Sequence, residues 1–262
     1  MRIIVCIKQV PDTNEVRMDP KTGTLIREGV PSIINPDDRH ALEEALRIKD
    51  RQEAEVIVLT MGPLQADVAL REALAMGADR AILLTDRKFA GSDTWATAHA
   101  LACAIGKIGA FDLILCGRQA IDGDTAQVGP QVAEYLNVPQ VTYVQSMKLE
   151  GEKVVVERAL EEGCEIVETS LPCLLTAVRE LNTPRWPFMA GIFDAWREDR
   201  VEVWSADDIG ADASIVGLKA SPTAVRRAFT PEPKARGTML EGSGRETVRD
   251  LISRLREKHV IS

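Results

Sequence analysis

Residues 55–85 read EVIVLTMGPLQADVALREALAMGADRAILLT, and this stretch decides the fold class. Its two ends, 55–61 and 81–85, are apolar runs rich in Val, Ile and Leu, as in strands covered on both faces. Between them, residues 65–76 repeat apolar side chains at helical spacing (Ala66, Ala69, Leu70, Ala73, Leu74), and Gly77 ends the run. Strand, helix and strand joined by short links make a βαβ unit, and hence a parallel sheet.

The same alternation extends both ways. Residues 2–10 and 112–116 (DLILC) supply two more strands, and helices are expected over 36–50, 94–108 and 124–136. Asn35 suits a helix cap, with Pro36 at the first helical position, where its missing N–H costs nothing. Residues 15–33 interrupt the pattern with a turn at Asp19-Pro20-Lys21-Thr22-Gly23, so they read as a hairpin excursion. From residue 141 the pattern becomes all-β over 141–148, 153–159, 165–170 and 173–178, which predicts antiparallel strands extending one sheet edge. The fold class is therefore α/β, a mostly parallel doubly wound sheet with an antiparallel extension and a C-terminal arm. The expected division is a domain over 1–205 and an arm over 206–262, polar and rich in Pro and Gly, that ends in an amphipathic helix at 246–257. Such an arm buries little apolar surface to offset its ordering entropy, so it is expected to pack on a partner chain.

Composition narrows the function. The 262 residues are 45% apolar but only 4% aromatic, so the core is built from Val, Ile, Leu and Ala. A net charge of -8 without any basic block argues against nucleic acid as a partner. No stretch approaches the ~20 apolar residues of a membrane span, and Lys8 breaks the N-terminal apolar run, so neither a membrane association nor a signal-peptide core is expected. Cys6, Cys103, Cys116, Cys164 and Cys173 lie far apart and are odd in number. They read as buried thiols in a reducing cytoplasm rather than as disulfides or zinc ligands. There is no G-x-G-x-x-G after the first strand, no P-loop and no G-x-S-x-G elbow, and His40, His99 and His259 are scattered. No catalytic side chain and no metal are expected.

The segment most informative about function follows the strand at 112–116. It reads Gly117-Arg118-Gln119-Ala120-Ile121-Asp122-Gly123-Asp124-Thr125-Ala126-Gln127-Val128. It leaves a strand, crosses a loop with two glycines and enters a helix expected near Asp124. A helix N-terminus offers unpaired N–H groups and partial positive charge to a phosphate. Gly117 and Gly123 permit close backbone approach, Thr125 and Gln127 add donors, and Arg118 adds a cation. Asp122 and Asp124 oppose an anion, and one of them equally serves as an N-cap in an ordinary loop. Cys6, Asn35 with Pro36, and Met61 with Gly62-Pro63 fall at strand ends or helix starts of one sheet edge and outline a pocket wall, although each also fits ordinary packing or capping.

Taken with Val5-Cys6-Ile7-Lys8-Gln9-Val10-Pro11-Asp12, Ala73–Arg80, Glu180-Leu181-Asn182-Thr183-Pro184-Arg185 and Ser221-Pro222-Thr223, these motifs give the chain a resemblance along essentially its whole length. It resembles the small (beta) subunit of electron-transfer flavoproteins. The resemblance implies a heterodimer with a larger alpha subunit holding an electron-carrying FAD. It also implies an adenine nucleotide in this chain's own sheet: AMP in one branch, a second FAD in the electron-bifurcating branch. Carried over, the nucleotide contacts are Cys6, Asn35, Pro36, Asp37, Asp38, Met61 and the run from Gly117 to Val128. The loop Arg185-Trp186-Pro187-Phe188-Met189-Ala190-Gly191-Ile192 resembles the family's recognition loop, with Met189 as the apolar anchor for a partner dehydrogenase. The alternative places Trp186 and Phe188 in the core.

Two departures bear on the cofactor. Members of the AMP type carry a run of lysines after that loop, whereas this chain has Asp194-Ala195-Trp196-Arg197-Glu198-Asp199-Arg200, and an aromatic residue of some members is Thr13 here. The segment Gly91-Ser92-Asp93-Thr94 resembles the branch with a beta-subunit flavin. Together these favour FAD, with AMP as the alternative. In the FAD case, the resemblance implies NADH as hydride donor. One electron then passes to the alpha-subunit flavin and an acyl-CoA or 2-hydroxy-acid dehydrogenase, the other to a low-potential acceptor such as ferredoxin. Arg179 and Arg185 either stabilise a reduced ring or pair with carboxylates. The sheet architecture alone is shared with ATP- or AMP-binding modules of the stress-protein type.

Overall fold

The uninterrupted apolar runs form strands buried on both faces in the computed structural model, which describes residues 1–12, 31–225 and 237–261. In chain order the elements are β1 (Arg2–Cys6), β2 (Gln9–Pro11), β3 (Ser32–Ile34), α1 (Pro36–Arg51), β4 (Glu55–Met61), α2 (Asp67–Met76), β5 (Arg80–Leu84), α3 (Thr94–Ile108), β6 (Leu113–Gly117) and α4 (Val128–Leu136). They continue as β7 (Gln140–Glu150), β8 (Lys153–Leu160), β9 (Gly163–Ser170), β10 (Cys173–Ala177), α5 (Met189–Arg197), β11 (Val201–Trp204) and α6 (Gly244–Glu257).

Nine strands form one sheet in the order β11-β5-β4-β1-β6-β10-β7-β8-β9. Pairing is parallel from β11 to β7 and antiparallel along β7-β8-β9. Alternate strand residues feed two cores. Ile3, Val5, Val56 and Val58 pack with α1 and α2, while Ile4, Ile57, Leu59 and Ile82 pack with α3 and α4. The sheet is therefore doubly wound, and small Ala side chains on α3 (Ala98, Ala100, Ala104) let that helix lie close to it.

One expected pairing differs. The sequence pattern groups the strand at 173–178 with the antiparallel set, but β10 inserts parallel between β6 and β7. Its five residues are all buried, unlike the half-exposed pattern of β7 and β9, so it takes a central place and leaves the edge to β9. The chain also stays compact beyond residue 205. Ala206, Ile209 and Val216 pack into the second core, and the first compact unit is Met1–Arg226.

The second unit, Arg227–Ser262, contains α6. That helix opens with a capping box between Ser243 and Glu246 and buries none of its residues. The hairpin tip expected at 19–23, and Thr13, lie outside the described residues, although β2 and β3 on either side pair antiparallel. Among the described residues no helix is long and apolar enough to cross a membrane.

Candidate functional site

The chain crosses from β1 to β4 and β5 on one side, then returns to β6 on the other. The connection after β1 leads to α1 on one face, and the one after β6 leads to α4 on the opposite face. The carboxyl ends of β1 and β6 thus diverge, and ligands of such sheets bind at that point.

Two buried polar side chains fasten these ends together. Asn35, fully buried, does not cap α1 as expected. Its amide instead donates to Gln119 O (2.8 Å) and accepts from Ile121 N (3.0 Å), tying the start of α1 to the loop after β6. Asp38 accepts from Lys8 N (2.7 Å) and Gly117 N (2.8 Å), bridging the ends of β1 and β6. Burial pushes its carboxyl up to about 7, although both backbone hydrogen bonds pull the other way. Gly117 is required by this bridge. A Cβ there would sit 2.6 Å from Asp38 N and 2.7 Å from the Asp37 carbonyl carbon, so the close approach is that of α1 rather than of a ligand.

The loop itself departs from expectation. The helix begins at Val128, not near Asp124, because Asp124 and Ala126 adopt left-handed backbone (φ 52° each). Ala120 O accepts from Asp124 N (2.8 Å), which closes a turn, and the Gln119 side chain holds the Asp124 carboxylate. A left-handed Ala has no local cause, and such strain persists where the surroundings or a function demand it. Gly123 faces open space and Thr125 is exposed. No described side chain caps α4 at Gln127, whose carboxamide accepts from Thr94 Oγ1 (3.0 Å). The loop thus runs as a rim from Asn35 to the start of α3.

Beside this rim lies a cleft of about 500 Å³, lined by Lys8 and Gln9 after β1, Met61 to Leu64 after β4, and Thr85 to Arg87 and Phe89 to Ser92 after β5. Its walls are largely apolar (Met61, Pro63, Phe89), with Lys8 and Arg87 as cations and Asp86 as an anion. Ser92 and Asp93 are engaged in holding chain. Ser92 Oγ accepts from Gly217 N (3.0 Å), and Asp93 caps α3 at Ala96 N (3.1 Å) while binding Thr223 through N (2.9 Å) and Oγ1 (2.8 Å). Cys6 lies at the floor of the β1–β6 crevice, its thiol pushed up to about 12 by burial and the nearby Asp38 charge. It is a protonated wall, not a nucleophile. Cys116 and Cys173 are buried, but Cys164 is exposed on β9, against the expectation of a buried thiol.

On the far side of the rim, Arg118 lies 3.5 Å from Asp37 and 5.7 Å from the centroid of the Tyr143 ring. Its Nε is the atom facing Asp37 and is buried without a hydrogen bond among the described residues. Tyr143 has φ 60° and donates its N–H to Thr176 Oγ1 (3.1 Å). Sequence reasoning missed this residue, since a left-handed tyrosine at a strand irregularity has no local signature. Arg185 is committed to Glu43 (2.9 Å) and Asp50 (2.6 Å) of α1, and Arg179 pairs with Glu180 (2.8 Å). Both follow the carboxylate-pairing alternative.

Trp186 is 83% and Met189 81% exposed, so Trp186 is not a core residue, and Phe188 is also mostly outside. Gly191 and Ala195 carry the buried face of α5, and Phe193 and Trp196 continue the exposed apolar side.

An electron transfer flavoprotein domain model matches residues 22–209. The chain is 59% identical over 261 residues to electron transfer flavoprotein subunit beta of Thermoanaerobacterium thermosaccharolyticum, covering all of both chains. The chain belongs to the electron transfer flavoprotein beta-subunit family. It is also 57% identical over 263 residues, again with full coverage of both, to caffeyl-CoA reductase-Etf complex subunit CarD of Acetobacterium woodii. With acryloyl-CoA reductase electron transfer subunit gamma of Anaerotignum propionicum, identity is 47% over 268 residues at full coverage of both. Within this family framework, the electron transfer flavoprotein fold places both the cleft and the rim at the carboxyl ends of its parallel strands.

Proposed function

We propose that this chain is the beta subunit of a heterodimeric electron transfer flavoprotein and holds FAD at the cleft and rim, carrying electrons between NADH or a dehydrogenase and other acceptors. The observation that carries the reading is the cleft beyond the carboxyl ends of β1, β4 and β5, next to the β1–β6 switch of a family sheet and bordered by Gly91 and Ser92. Its volume lies within the ~300–1,000 Å³ usual for small-molecule sites. The donor set suits a nucleotide: apolar walls at Met61 and Phe89 for a ring, and Lys8 and Arg87 for phosphate oxygens. Asn35 and Asp38 position the rim, while Cys6, Pro36, Asp37, Arg118 and the residues through Val128 surround it.

Held by Lys8, Met61, Phe89 and the rim residues, FAD would supply hydride acceptance from NADH and one-electron transfer, with the alpha-subunit flavin and a low-potential acceptor such as ferredoxin as the receiving partners. The protein's own groups bind, orient and exclude water. The relatives named for caffeyl-CoA and acryloyl-CoA reductases support a dehydrogenase of the acyl-CoA type as the other partner, docking at Met189 and the exposed aromatic side of α5. Denaturing the heterodimer co-purified with its alpha subunit and counting released nucleotides tests the proposal. Two FAD per heterodimer is the expected result, and one FAD plus one AMP overturns it.

A further inference from the structure

The rim is fastened at its base by buried bonds, and one exposed ion pair crosses from it to β1. Lys8 is held by its backbone on both sides: its N–H donates to Asp38 (2.7 Å), and its carbonyl accepts from Asn35 N (2.8 Å). Its ammonium, in contrast, reaches out to Asp122 on the rim at 2.6 Å, while the same residue lines the cleft. The main chain is thus a fixed pivot, and the four-carbon stem carries the charge between two positions. The Lys8 side chain is 43% exposed, which leaves its ammonium room to swing away, whereas the Asp122 side chain is only 16% exposed and stays at the rim.

Charge makes the exchange directional. The rim carries two carboxylates that repel a phosphate, Asp122 and Asp124. Asp124 is engaged by the Gln119 side chain, whereas Asp122 depends on Lys8. We propose that Lys8 is an exchange cation, leaving Asp122 to pair with the phosphate of the nucleotide bound at the cleft. The proposal rests on the nucleotide reading above and adds to it a residue that recognises phosphate and a carboxylate that competes for it. Asp122 thereby sets the affinity, holding Lys8 back from weakly charged ligands.

The two members of the pair then act in opposite directions, which a merely structural ion pair does not do. The test uses the full-length chain complexed with its alpha subunit, stripped of beta-subunit nucleotide and titrated calorimetrically with AMP, FAD and adenosine. Lys8→Met weakens AMP and FAD about tenfold or more, as loss of a charge-assisted hydrogen bond does, and leaves adenosine unchanged. Asp122→Asn tightens AMP and FAD several-fold, again without effect on adenosine. Equal changes for adenosine and AMP in Lys8→Met, or weaker AMP binding in Asp122→Asn, overturn the exchange while leaving the nucleotide site standing. Failure of the wild-type complex to bind any of the three ligands overturns both.

Discussion

Asp38 shows how much a single residue here acts at a distance. In the sequence it is an acidic residue in the first turn of a helix, where it favours the helix dipole. In the structure it joins two strands through bonds to residues 30 and 79 positions away. Local pattern identifies the helix but carries no information about such partners, and the same holds for Asn35, read as a cap and found as a strut. Their residue types were legible as polar groups at a strand-end cluster; their roles were not. The carboxyl of Asp38, pushed from 3.8 up to about 7 in the fold, has a thermodynamic consequence. Between those values the folded chain holds a proton that the unfolded chain has released. The associated stability is complete below about 4 and is lost as pH rises through about 7. Asp38→Asn removes this titration, so unfolding free energy measured by denaturant between pH 5 and pH 8 falls more steeply in wild type than in the variant. Parallel curves would contradict the assignment.

At the scale of elements, the strands were the most legible part. The strand at 55–61 and the helix at 94–108 coincide with β4 and α3, because continuous apolar runs and an Asp cap leave few alternatives. The start of α4 was not legible, since its four preceding residues suit a helix by composition and are diverted by left-handed Asp124 and Ala126. The parallel insertion of β10 was equally hidden. It depends on which neighbours it meets, not on its own pattern. For α5, helical periodicity leaves open which side faces in, and the structure answers through Gly191. A Cβ there would lie 2.6 Å from Ala75 O and 2.8 Å from the Phe188 ring, so α5 sits against α2 only without a side chain. Gly→Ala normally gains about 1 kcal/mol in a helix interior. Overpacking against a backbone oxygen costs about 1–3 kcal/mol and exceeds that gain because the oxygen belongs to α2. Gly191→Ala is therefore expected to lower the melting temperature by a few degrees and to weaken docking of the proposed dehydrogenase partner, whereas an unchanged melt would show that α5 moves freely on α2.

For the whole molecule, the two units pose different stability problems. Met1–Arg226 has two hydrophobic cores on opposite faces of one sheet and needs no help to bury its apolar runs. The 14-residue helix α6 buries nothing, and Val248, Leu251 and Ile252 remain exposed along one side. A helix of that length is marginal in water by its own propensity, so its amphipathic stripe has a purpose only against another surface, which the alpha subunit provides in the proposed heterodimer. Removing residues 227–262 then has separable effects. The remaining chain should melt within a few degrees of the full-length chain, because none of the described residues removed is buried. Its retention on an immobilised alpha subunit should fall at least tenfold, since three apolar side chains at about 1.5–3 kcal/mol each on full burial leave the interface. Undiminished retention would place the heterodimer contact on the sheet unit alone and leave the amphipathic stripe of α6 without a partner.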